Sequence, residues 1–272
     1  MMAHAVSSAY REFPPPAHLR AWVQCLWTLD SPAAAKSPAA ASSPAAAIRT
    51  HRVLPDGCID ILFETAGAGA AEISVVGMMT RPRLVTCHEA TSFTAVRFRP
   101  GAAAAFFREP LHRLTDVQVE LRDLWRGSGS LLGRLHETPA AADRLGLLAG
   151  ALERRLGEAP RRGHVGCGFA VRTLEVEPET RVGDLCARLG MSRQALARSF
   201  RDHVGVSPKT LGRVLRLQRA VSLLARSAAG ERVRWADLAL DAGYYDQSHL
   251  VAEFKELVGL TPSAYMLERA GG

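Results

Sequence analysis

The chain has 272 residues, 47% of them hydrophobic and 22% charged, with a formal net charge of +7. That suits two ordinary globular domains, excludes a disordered or fibrous chain, and favours polyanionic partners without naming one. No run approaches the ~18 uninterrupted apolar residues of a membrane span, and the opening MMAHAVSSAYREF lacks the basic-then-apolar order of a secretory signal. A cytoplasmic protein with no membrane contact is therefore expected. The five cysteines (Cys25, Cys58, Cys87, Cys167, Cys186) are scattered and odd in number, and none forms a C-x-x-C pair. They read as reduced thiols rather than a disulfide frame or zinc site.

In chain order, Ser31–Ala47 (SPAAAKSPAAASSPAAA) comes first as an interruption. Its prolines block a stable helix and it has nothing large to bury, so a flexible loop is expected. From Ile48 to Phe98 short β-prone runs appear: Cys58–Phe63, Glu72–Met78 and Thr94–Phe98, separated by turns such as Pro55-Asp56-Gly57. They predict an antiparallel sheet or barrel. Between Pro100 and Leu156 the apolar spacing lengthens toward a helical period. Residues 159–168, rich in Gly and Arg, form the expected linker between a first domain at 1–158 and a second at 169–272.

Charge is uneven along the chain. Residues 1–160 carry 17 basic against 15 acidic residues, and residues 161–272 carry 17 against 12. Within 192–219 stand Arg193, Arg198, Arg201, Lys209, Arg213, Arg216 and Arg219 against Asp202 alone. Such a stripe is what phosphate neutralisation requires.

The same region holds an internal repeat. Gly205-Val206-Ser207-Pro208 recurs as Gly259-Leu260-Thr261-Pro262, 54 residues on, and at that shift Leu196, Phe200 and Arg201 fall on Leu250, Phe254 and Lys255. Upstream, Asp184-Leu185 and Gly190 match Asp237-Leu238 and Gly243 at a shift of 53. A one-residue register change confined to a turn is what two copies of a helix-turn-helix tolerate. In the first copy Val182, Leu185, Cys186 and Leu189 make one apolar helical face, Gly190 ends that helix, and Ser192 caps the next. In the second, Trp235–Ala242 is the scaffold, Gly243 the turn, Asp246 the cap and Gln247–Val258 the reading helix. Ser207-Pro208 starts a long helix to about Ser227 that separates the units. Two reading helices about one DNA turn (~34 Å) apart would enter successive major grooves.

These residues resemble the AraC family of regulators. The matching runs are S-x-x-x-L-x-R-x-F-R at Ser192–Arg201, G-V-S-P at Gly205–Pro208 and G-Y-Y-D-Q-S-H-L…F-K…G-L-T-P-S-A-Y across Gly243–Tyr265. The resemblance implies an all-helical, bipartite DNA-binding domain, double-stranded DNA and RNA polymerase as partners, and activation as the commoner outcome, with repression the other. The chain departs from the pattern at Ala252, where the second helix usually has an arginine. The first domain resembles, more loosely, a sensor domain of such regulators through Trp27, Arg52–Asp60 and Arg97–Ala102, which implies a cupin-like β-rich fold followed by helices. The expected class is thus α+β: a β-rich sensor domain with helices, then an all-α domain with two helix-turn-helix units. A small-molecule effector and a homodimer are the implied partners of the first domain.

The candidate DNA-contacting residues are Ser192, Arg193, Gln194, Ala197, Arg198, Arg201 and Lys209 in the first unit, and Tyr245, Gln247, Ser248, His249 and Lys255 in the second. Arg198 has an internal salt bridge as its alternative. Gln247 suits bidentate reading of adenine, while His249 either touches phosphate or caps locally. Candidate ligand contacts are Arg52, Asp60, Arg97 and Arg99. Arg52, Asp56 and Asp60 surround a turn, which favours a structural role; Arg97 and Arg99 share a strand face and are either solvated or turned inward toward an anionic ligand. His51, Cys58, Asp60, Cys87 and His88 lack metal-ligand spacing, so neither metal nor cofactor is expected. No G-x-S-x-G, G-K-[ST], H-E-x-x-H or dinucleotide fingerprint is present, and no catalytic residues are assigned. The competing readings are a DNA-binding protein whose first domain is enzymatic or purely architectural.

Overall fold

A computed structural model describes residues 10–30, 49–66, 70–87, 91–158, 165–226 and 233–271. Ser31–Ala47 and residues 159–164 lie outside the described residues, and Val165–Gly168, read above as linker, is already the first turn of a helix.

The strands are β1 (Arg11–Phe13), β2 (Val23–Asp30), β3 (Arg49–Val53), β4 (Asp60–Ala66), β5 (Ala70–Val76), β6 (Arg83–Cys87), β7 (Thr91–Phe98) and β8 (Gln118–Glu120). Six form one antiparallel sheet in the order β1-β2-β7-β4-β5-β8, and β3 pairs with β6 in a separate ribbon. The three runs expected as strands overlap β4, β5 and β7, though Cys58 and Ile59 precede β4 and Gly77 and Met78 follow β5. The strand β2, which lies before the region read as β-rich, sits beside β7 near the centre of the sheet. Because side chains alternate along a strand, Leu26, Ile61, Phe63, Val96 and Phe98 face the helices α1 (Leu121–Leu124), α2 (Ser128–Glu137) and α3 (Ala141–Glu158) and are buried. Cys25, Trp27, Phe93 and Ala95 form the opposite face, on which Val85 of the ribbon packs.

That second face corrects one expectation. Arg97 points inward and is buried, but Arg99 lies beyond the end of β7, is exposed, and donates to the Arg20 carbonyl at 2.9 Å. The two do not share a face, because the strand ends at Phe98. Arg97 is filled by the protein itself: its Nε and Nη2 donate to Asp60 at 3.1 and 2.9 Å, Nη1 lies 3.4 Å from Asp56, and Trp27 Nε1 donates to Asp60 at 3.2 Å. An anion reaching this guanidinium would have to displace a carboxylate.

The second domain comprises α4 (Val165–Val176), α5 (Val182–Leu189), α6 (Arg193–His203), α7 (Pro208–Arg226), α8 (Trp235–Asp241), α9 (Gln247–Val258) and α10 (Pro262–Gly271). None of the described helices is long and apolar enough to cross a membrane. The core is divided unequally. One continuous apolar cluster runs from Leu19 of the first domain through Leu185, Leu196 and Phe200 to Leu211, so α5 and α6 share it with the sheet and its helices. A separate cluster, Leu217 to Tyr265, holds α8, α9 and α10 against the far half of α7.

Polar contacts tie the first domain to both halves of the second. Thr115 Oγ1 donates to the Gly205 carbonyl at 2.7 Å, just after α6. Gln218 Nε2 on α7 donates to the Pro55 carbonyl at 2.6 Å. Arg52, expected as a ligand contact or a turn residue, pairs across the domain boundary instead: its Nε and Nη2 donate to Glu268 of α10 at 3.0 and 3.2 Å, and its Nη1 donates to the Val258 carbonyl at 3.1 Å.

Candidate nucleic-acid interface

Each helix-turn-helix is built from the same local chemistry. Gly190 (φ 61°) and Gly243 (φ 85°) take the left-handed conformation that lets the chain leave α5 and α8 sharply, where a side chain would be strained. A polar residue then opens the next helix. Ser192 Oγ accepts from the Ala195 amide at 3.1 Å, and Asp246 Oδ1 accepts from the His249 amide at 2.7 Å, satisfying amides that a helix start leaves without partners. Leu196 and Phe200 in α6, and Leu250 and Phe254 in α9, are fully buried and turn the opposite sides outward. The long helix begins at Pro208, with Ser207 Oγ accepting from the Thr210 amide at 3.1 Å. Both reading helices and the rod between them thus lie where the repeat places them.

On α6 the residues Ser192, Arg193, Gln194, Arg198 and Arg201 are exposed, Ala197 is half-buried, and Lys209 is exposed at the start of α7. Arg193, Arg198 and Arg201 make no ion pair among the described residues, so three guanidiniums are available along one helix. On α9 Gln247, Ser248 and Lys255 are exposed, and Tyr245, in the turn before it, is exposed to 85%. His249 is half-buried and caps locally: its Nδ1 accepts from the Tyr245 amide at 3.3 Å, and its ring packs edge-on against Tyr244. Ala252, at the repeat position of Arg198, is exposed and gives the second helix no cation there.

The basic stripe needs a correction. Arg213 and Arg216 do not face outward with the others; their side chains are 19% and 14% exposed and are consumed inside the domain. Arg213 Nε donates to Glu253 at 2.8 Å and its Nη2 to Glu256 at 2.5 Å, while Arg216 Nη2 donates to Glu253 at 3.1 Å. Burial works to raise the pKa of Glu253, but the Arg216 and Arg213 guanidiniums outweigh it and hold the carboxyl below its ordinary value. Sequence reasoning missed this cluster because helical spacing alone put the arginines away from the apolar face. A signal was present: at the 54-residue shift Glu253 falls on Ser199, which is buried, so an acid there needs a buried cationic partner.

Among the described residues no three His, Cys, Asp or Glu side chains converge to hold a metal ion. Burial pushes the Cys25 thiol up to about 12 and the Cys167 thiol up to about 11, so neither is a ready nucleophile. A cavity of about 360 Å³ opens between the domains, lined by Gln24, Asp56 and Cys58 on one side and Glu175, Gln218 and Arg219 on the other.

Comparison with known proteins divides the chain in the same way. Residues 185–268 match the model of a helix-turn-helix domain, and residues 11–120 match a domain of unknown function (DUF6597). An uncharacterized HTH-type transcriptional regulator of Haemophilus influenzae is 36% identical over 75 residues, which are 28% of this chain and 24% of that protein. The HTH-type transcriptional regulator MtrA of Neisseria gonorrhoeae is 29% identical over 92 residues, 34% of this chain and 29% of that protein. The chain thus spans less than a third of the length of these relatives. Among solved structures, ToxT from Vibrio cholerae O395 has a TM-score of 0.44 at 13% identity over 83% of this chain and 95% of that one. An unsaturated fatty acid-bound ToxT from Vibrio cholerae has a TM-score of 0.41 at 14% identity over 100% and 99%.

Proposed function

We propose that this chain, with its AraC-type helix-turn-helix domain, is a sequence-specific regulator of transcription that grips duplex DNA with α6 and α9. The observation that carries the proposal is the duplicated unit itself: two capped helices, each anchored by a buried Leu and Phe and each presenting polar side chains outward. In the proposed complex Arg193, Gln194, Ala197 and Arg198 meet base edges from α6, and Gln247 and Ser248 do so from α9 with Tyr245 from the turn before it. Arg201, Lys209 and Lys255 hold phosphates, Ser192 lies at the helix start where a phosphate is favoured, and His249 orients that start rather than reading a base. RNA polymerase is the further partner at the promoter, a homodimer is the proposed assembly, and the cytoplasm is the proposed compartment.

For the first domain we propose a sensing role without chemistry. The interdomain cavity supports this, since its volume falls in the range of small-molecule sites and its far wall is the rod that carries both units. A ligand seated there would change how α7 meets the Pro55 turn. Filling the cavity with Ser222→Trp should mimic or block such a ligand; unchanged DNA affinity and no thermal shift with any small metabolite would leave the first domain a scaffold.

The test of the main proposal is selection of bound duplexes from random DNA with the full chain at low ionic strength. Two boxes one turn apart are expected. Recovery of no preferred sequence would remove the regulatory reading.

A further inference from the structure

Arg216 lies on α7 between the two units, and its contacts go to both. Its Nη1 donates to the Pro178 carbonyl at 3.2 Å, in the turn that leads into α5 of the first unit. Its Nη2 donates to Glu253 of α9 at 3.1 Å, and its guanidinium carbon stands 5.6 Å from the ring centre of Tyr244, next to the turn of the second unit. The fit around it is close on both sides. A Cβ on Gly212 would come within 2.7 Å of the same Pro178 carbonyl oxygen, and one on Gly243 would lie 3.4 Å from Cδ of Arg216. Glu253 is held from the other side by Arg213, and Tyr244 is buried.

Apolar packing against α7 fixes how near each unit lies but only weakly fixes its rotation about the rod, because the hydrophobic effect has no direction. A guanidinium differs. Its donors form a rigid planar fork, so two acceptors and an aromatic face engaged at once fix an angle as well as a distance. The DNA demands such an angle, since one base pair of spacing corresponds to about 3.4 Å and about 35° of rotation.

We propose that Arg216, acting with Glu253, is the positioning residue that sets the angular phase between the two reading helices and therefore the spacing between the two DNA boxes the protein accepts. The inference rests on the DNA-binding reading above and deepens it: base-contacting residues choose the letters, and this interlock chooses the gap.

The test uses the full chain and the double-box duplex recovered by selection, with one or two base pairs inserted or removed between the boxes, and a duplex carrying the first box alone. The wild-type chain should prefer one spacing by about tenfold or more, equivalent to losing a good base contact when misphased. Arg216→Lys keeps the charge but cannot bridge both units, and should lose most of that preference while binding the single-box duplex as the wild type does. Glu253→Gln should do the same, which covers the case in which Arg216→Lys fails to fold. Arg226→Lys, exposed at the end of α7, should keep the wild-type preference. If folded Arg216→Lys and Glu253→Gln variants discriminate spacing as sharply as the wild type, the inference is overturned while the DNA-binding reading stands. If the wild type binds no duplex, both fall together.

Discussion

The two helix-turn-helix units descend from one pattern yet are held in opposite ways. The first is fused to the amino-terminal domain: Leu185, Leu196 and Phe200 belong to the same apolar cluster as Phe63 and Phe98 of the sheet. Its reading helix carries Arg193, Arg198 and Arg201 free of ion pairs among the described residues. The second has a core of its own, and Glu253 and Glu256 take up Arg213 and Arg216. One unit is anchored by apolar packing and presents three arginines outward; the other is clamped by charge and exposes Asp241 and Asp246 beside Lys255. The difference suggests a division of labour in which the first unit supplies sequence-independent grip and the second supplies discrimination.

The largest expected effect concerns the cores. Phe200→Ala and Phe254→Ala each remove a fully buried ring, at a cost of about 3–5 kcal/mol. If the cores are separate, Phe200→Ala lowers protection of sheet amides in hydrogen exchange as well as those of α6. Phe254→Ala should release α8–α10 alone. Equal loss of sheet protection in both variants would mean that the second unit is as fused as the first.

Next come the caps. Ser192→Ala and Asp246→Ala should each cost about 1 kcal/mol in denaturant unfolding, with the Asp246 change also lowering DNA affinity, because its amide partner is His249 at the start of α9. Gly replacements at the same positions should cost less, since an exposed helix start can be solvated.

Smaller again is the salt response. Each lost phosphate contact should flatten the log affinity against log salt slope by about 0.9, or about threefold in affinity over a fourfold change in salt. Arg201→Gln should show this loss in full, Lys255→Gln less, and Arg213→Gln none, because its charge is already matched inside the domain. A slope change for Arg213 equal to that for Arg201 would erase the contrast between the units.

The smallest effect is in pH. A carboxylate whose folded pKa is lowered contributes stability that is present above its unfolded value, ~4.3 for Glu, and is lost as pH falls through the folded value. Glu253 is such a group. The second unit should therefore loosen on acidification below the ordinary carboxylate range, and Glu253→Gln should flatten that dependence. Tryptophan fluorescence of Trp235, on α8, is a suitable readout.

Much of the second domain was legible because its determinants are local. The glycine turns, the capping hydroxyl and carboxylate at Ser192 and Asp246, and the buried Leu and Phe one helical turn apart act within a few residues, so their spacing survives in the sequence twice. The first domain was legible only in outline. The strand β2 went unread because its partner β7 lies far along the chain, and the pairing that places it inside the sheet is set by that distant strand rather than by its own residues.

What the sequence determined on its own, then, was the existence, order and start points of the reading helices, and their outward side chains. The tertiary structure alone decided the fate of the charges. Arg52, Arg97, Arg213 and Arg216 look alike as letters, yet one ties the domains together, one is filled by two carboxylates, and two clamp α9. The reason is physical: apolar periodicity records which side of a helix is buried, whereas the partner of a charge is fixed by which distant backbone lies within hydrogen-bonding reach. No spacing along the chain encodes that distance.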